Sequence, residues 1–71
     1  MNGKANRRKT PMLALLHKYD LDFGRALANV ILCTDQTANR RLRDTDELSI
    51  REIKLLTERG GIPIEEVRAA I

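Results

Sequence analysis

A chain of 71 residues has room for one small domain and excludes a second. Two aromatic residues, Tyr19 and Phe23, among many irregularly spaced aliphatic ones argue against a strand sandwich, and the lone Cys33 excludes an internal disulfide framework and a thiolate metal cluster, the usage of a reducing, cytoplasmic setting. The formal net charge of +3 is unevenly spread: residues 1–43 carry nine Lys/Arg against three Asp/Glu and residues 44–71 four against seven, which predicts a basic side suited to a polyanion.

The opening "MNGKANRRKT" is basic and is not followed by the apolar run of a secretory leader, since "PMLALL" meets His17 and Lys18 at once. No segment is long and apolar enough to span a membrane. Residues 1–9 are expected to form a flexible basic arm, with a single domain over 10–71. Thr10 followed by Pro11 predicts a capped first helix to about Tyr19, with Met12, Leu15, Leu16 and Tyr19 inward. "DLDFG" is expected to cap a second helix through Asp22, and Leu27, Ala28 and Ile31 give its inward stripe. Thr34, with Asp35 at the positive end of the helix dipole, predicts a new helix start in the polar stretch that follows Cys33. That third helix has only Ala38 and Leu42 as apolar positions, so most of it faces solvent or a ligand. "SIRE", Ser49–Glu52, is a capping box opening a fourth helix with Ile50, Ile53 and Leu56 inward, and Gly60 and Gly61 are expected to stop it through a left-handed cap. Pro63 begins a short fifth helix with its acids in the first turn. The fold expected is therefore an all-α, compact five-helix bundle.

The second and third helices fall within "LANVILCTDQTANRRL", Leu27 to Leu42. This run resembles the helix-turn-helix of phage-repressor-like DNA-binding domains of the Cro and repressor type. Leu27, Ala28, Ile31, Cys33, Thr34, Thr37, Ala38 and Leu42 fit the family's pattern, and "ELSIREIKLLTERGGIPIEEV" is similar to its fourth and fifth helices. The resemblance spans roughly Pro11 to Ile71 and implies a lambda-repressor-like fold. It departs at Leu32, which stands where the family usually has glycine at positive φ. Either the turn is rebuilt or leucine bears a cost of order 1 kcal/mol there.

The resemblance implies a sequence-specific, double-stranded DNA-binding transcriptional regulator, related to those of phages and mobile elements. Its third helix would read the major groove, with Gln36, Asn39 and Arg40 as base-reading candidates. Physical chemistry agrees, because Gln and Asn pair bidentately with adenine and Arg with guanine. Thr34, Thr37, Arg41 and Arg43, with Lys4, Arg7, Arg8 and Lys9 of the arm, are the candidate phosphate or flanking contacts. Asp35 could cap, accept from a cytosine amine or repel. Ile64, Val67 and Ile71 form an apolar stripe expected to pair a homodimer; alternatively Ile64 and Val67 complete the monomer core. Cys33 is expected as a small hydrophobe at the turn, His17 as a surface residue, and Asp44, Asp46 and Glu47 as a solvated loop. No metal site, cofactor, small-molecule substrate or enzymatic activity is expected, as no nucleophile has a base and no glycine loop could cradle phosphate. The alternative from another class is a protein-interaction module, such as a small inhibitor or antitoxin-like partner, that keeps the fold without base-specific DNA binding.

Overall fold

The computed structural model describes residues 7–71. Lys4 and the rest of residues 1–6 lie outside the described residues. Five helices follow one another: α1 Pro11–Lys18, α2 Gly24–Ile31, α3 Asp35–Arg43, α4 Ile50–Glu58 and α5 Ile64–Ala69, with one 3-10 turn, Thr45–Glu47, between α3 and α4. The fold is all-α, without strand among the described residues.

Local chemistry starts and stops most of these helices. Thr10 Oγ1 accepts from the Leu13 N–H at 3.0 Å ahead of Pro11, and Thr34 Oγ1 accepts from the Thr37 N–H at 3.1 Å. At α4 the capping box is complete: Ser49 Oγ accepts from the Glu52 N–H at 3.1 Å while Glu52 Oε1 accepts from the Ser49 N–H at 2.9 Å. Gly61 takes φ +73° after α4, and the Ile62 N–H returns to the Leu56 carbonyl at 3.2 Å, the left-handed stop that only glycine makes cheaply.

The start of α2 differs from expectation. Its N-cap is Phe23, in an extended conformation and without a side-chain bond, whereas the Asp22 carboxylate lies 2.7 Å from His17 Nδ1. Asp22 sits one residue too early to reach the first turn of a helix beginning at Gly24, and it faces back toward α1 instead.

The interior is built from all five helices. Leu16, Leu27, Leu42, Leu56, Ile62 and Val67 are fully buried, and Met12, Leu15, Ala28, Ile31, Ala38 and Leu48 join them. α2 packs on α3 and α4, while α5 closes over α4 and α1. Ile50 does not turn inward; it is 80% exposed. Six residues before Leu56, it stands about 120° around the helix from it. Val67 is core, whereas Ile64 is partly and Ile71 largely exposed, so the three do not form a surface stripe and the Val67 side chain is not available to a second copy. The radius of gyration, 10.8 Å, is close to the roughly 11 Å of a well-packed chain of this length.

Arg7 and Arg8, expected in a free arm, are tied to the body. The Arg8 N–H donates to the Arg43 carbonyl at 2.8 Å, its guanidinium reaches Asp46 at 2.6 Å and Asp44 at 3.4 Å, and Arg7 donates to the Asp22 carbonyl at 2.7 Å. The hydroxyls of Thr10 and buried Thr45 also bond each other. Asp44 and Asp46 are thus partners of Arg8 rather than merely solvated. No helix of the described residues is long and apolar enough to cross a membrane.

Candidate nucleic-acid interface

Three residues, Leu32 to Thr34, join α2 to α3. The turn begins at Leu32, whose φ of 58° and ψ of 54° are left-handed, so leucine itself adopts a backbone that favours glycine. The Cys33 N–H closes on the Ala28 carbonyl at 3.1 Å. Cys33 itself is half-buried, its Sγ donating to the Thr34 carbonyl at 3.3 Å, and burial first and the Glu52 carboxylate second push its thiol pKa up, away from nucleophilic reactivity. Thr34 then caps α3, and Ala38 and Leu42 anchor that helix in the core.

With that anchor fixed, the rotation of α3 decides which side chains face out. Positions 36, 40 and 43 fall within about 60° of arc on the side away from Ala38 and Leu42. Gln36, Arg40 and Arg43 are all exposed, and none of their side chains bonds to another described residue. Two arginines and an amide with every donor and acceptor open to solvent can pair with base edges or phosphates at no internal cost.

The other candidate contacts are placed differently. Arg41 is turned inward: its side chain is 23% exposed and its Nε donates to Glu52 Oε1 at 3.0 Å, with Glu47 3.9 Å from its Nη1. It is therefore not a free cation for phosphate, because the 140° separating it from Gln36 along the helix points it at α4. Asn39 is exposed, yet its amide lies over the start of α2: a Cβ placed on Gly24 would come within 2.7 Å of it. Thr34 and Thr37 have their hydroxyls bonded to each other at 3.1 Å, Thr37 half-buried. Asp35 lies 3.8 Å from Arg25 of α2, both side chains well exposed, a contact of little energetic weight. Arg8 is held by Asp44 and Asp46, Arg7 by the Asp22 carbonyl, and Lys9 is exposed with no partner among the described residues.

One participant has no counterpart among the expected site residues. Glu52 Oε1 accepts from Arg41 as well as from the Ser49 N–H, so a single carboxylate oxygen closes the capping box of α4 and holds α3. Burial of Glu52 alone would raise its pKa, but the Ser49 N–H and the Arg41 guanidinium outweigh it and hold the carboxyl below its ordinary range. The box is legible in "SIRE"; its second partner is not, because nothing in the sequence says which arginine of α3 faces α4.

Comparison of the chain with protein-family models, with curated proteins and with solved structures found no match.

Proposed function

We propose that this chain is a sequence-specific double-stranded DNA-binding transcriptional regulator of the phage-repressor-like kind, acting in the cytoplasm and reading the major groove with α3. The observation that carries the proposal is the exposed, unpartnered face of Gln36, Arg40 and Arg43 on a helix whose opposite side is anchored by Ala38 and Leu42. An α-helix fits the major groove, and a glutamine and an arginine four residues apart can address adjacent base pairs. Lys9 adds a free cation, and Asn39 a polar group at the rim. A two-fold partner contacting Ile64 and Ile71 would set two such helices about 34 Å apart, the spacing of successive major grooves.

Selection of bound sequences from random duplex DNA, followed by titration at several salt concentrations, tests this. Gln36→Ala and Arg40→Ala are each expected to cost about 1–3 kcal/mol on the selected site and to relax preference at one position. Arg43→Ala is expected to weaken selected and random duplexes alike. Equal losses on both duplexes for all three variants would overturn base reading.

A second reading, a protein-interaction module, is favoured by one observation: Phe23, Leu32 and Ile50 leave apolar surface exposed while Arg8 and Arg41 are already neutralised by carboxylates. A wild-type chain that selects no sequence and whose weak DNA binding ignores Gln36→Ala would favour it.

A further inference from the structure

We infer that Arg41 and Glu52 are positioning residues for α3, fixing the rotation at which Gln36, Arg40 and Arg43 meet their ligand; the inference rests on the DNA-binding reading above. Arg41 belongs to the cationic run "NRRLR", where every arginine could be a phosphate contact. The structure separates them. Arg40 and Arg43 are open to solvent, whereas Arg41 is largely covered and directs its Nε at a carboxylate that is only 13% exposed.

Three features make this pair a rotational stop rather than a surface ion pair. First, the acceptor is fixed: Glu52 Oε1 already accepts the Ser49 N–H at 2.9 Å, so the carboxylate cannot follow Arg41 if α3 turns. Second, the bond comes from Nε, the least mobile donor of the guanidinium, at 3.0 Å. Third, the remaining anchors of α3 are weak guides to rotation. Ala38 and Leu42 are the only buried residues of this nine-residue helix and lie on one line, about which it could roll. Arg41, on the α4 side, and Asn39 against Gly24 on the α2 side, flank that line. Together they hold α3 from both sides, and only Arg41 does so with a charge-assisted bond.

Glu52→Gln tests this without dismantling α4, because glutamine also closes a capping box. It removes a negative charge, so on electrostatics alone it should tighten binding to every duplex. The expected result is the reverse for the selected duplex: its preference over a random-sequence duplex falls by about tenfold, the equivalent of one lost bidentate contact, while random binding holds or rises. Arg41→Met is expected to reduce the preference similarly and to leave the salt dependence of binding unchanged. A fall of about one unit in the salt slope for Arg41→Met would make Arg41 a phosphate contact and overturn the inference. So would an undiminished preference in Glu52→Gln, which would leave the pair a merely structural bridge. If the wild-type chain does not distinguish the two duplexes, the DNA-binding reading fails by itself. The positioning role is then decided in the free protein, where Glu52→Gln is expected to shift the backbone amide resonances of Gln36 and Arg40, and unshifted resonances overturn it.

Discussion

At Leu32 a branched side chain holds a backbone φ of 58°, a conformation that costs an ordinary L-residue about 1–2 kcal/mol. The residue is 55% exposed, so little burial offsets that cost. Glycine removes the clash but frees the unfolded chain by about 0.5–1 kcal/mol. Leu32→Gly is therefore expected to raise stability by up to about 1 kcal/mol in urea unfolding, and Leu32→Val, branched at Cβ, to lower it. Asp20 offers an internal comparison, also at φ 58°, because a short polar side chain tolerates that region better and Asp20→Gly should gain less. A loss of stability in Leu32→Gly would mean that the side chain's packing outweighs its backbone strain.

Among the elements, α5 is attached in a way its sequence does not announce. It has six residues and one buried side chain, Val67, and Glu66 ties it to α1: Lys18 Nζ lies 2.6 Å from Oε1 and the Tyr19 hydroxyl donates to Oε2 at 2.5 Å. These two donors hold the Glu66 carboxyl below its ordinary 4.5, and the same carboxylate raises Tyr19 above 10.0 and Lys18 above 10.5. A depressed carboxyl gives stability that is present above 4.5 and lost as pH falls through its lowered folded value. Raised Tyr19 and Lys18 give stability that is present below 10.0 and 10.5 and lost as pH rises through their folded values. Urea midpoints of the wild type and Glu66→Gln should thus differ most between those limits and converge at both extremes; a difference independent of pH would remove the clasp from the account.

For the molecule as a whole, the six largest fully buried side chains come from each of the five helices and, with Ile62, from the connection between α4 and α5, so one core is shared along the chain. A domain of this length has about 4–10 kcal/mol of stability in all. Leu42→Ala, which empties the centre of that core beneath α3, is expected to cost about 2–5 kcal/mol and to leave a protein close to its unfolding threshold at 25 °C. The all-α architecture, the caps at Thr10, Thr34 and Ser49 and the stop at Gly61 were legible in the sequence because each depends on residues within a turn or so of one another. The contacts that sort the arginines were not. Arg41 meets Glu52 across 11 residues, Arg8 meets Asp46 across 38 and Lys18 meets Glu66 across 48, and only the packed core brings those partners together. The six candidates on α3, Gln36, Thr37, Asn39, Arg40, Arg41 and Arg43, are all polar. Rotation about the Ala38–Leu42 line is what divides them into outward and inward groups.

The slender attachment of α5 also sets how the native state breathes. With one side chain in the core and one carboxylate gripping α1, this helix can lift away while the four others stay packed, and its amides are then exchanged by solvent deuterium well before those of α2 and α3. Such a partial opening would uncover Ile62 and the floor beneath Val67, giving the chain a transient apolar face that the closed form does not present.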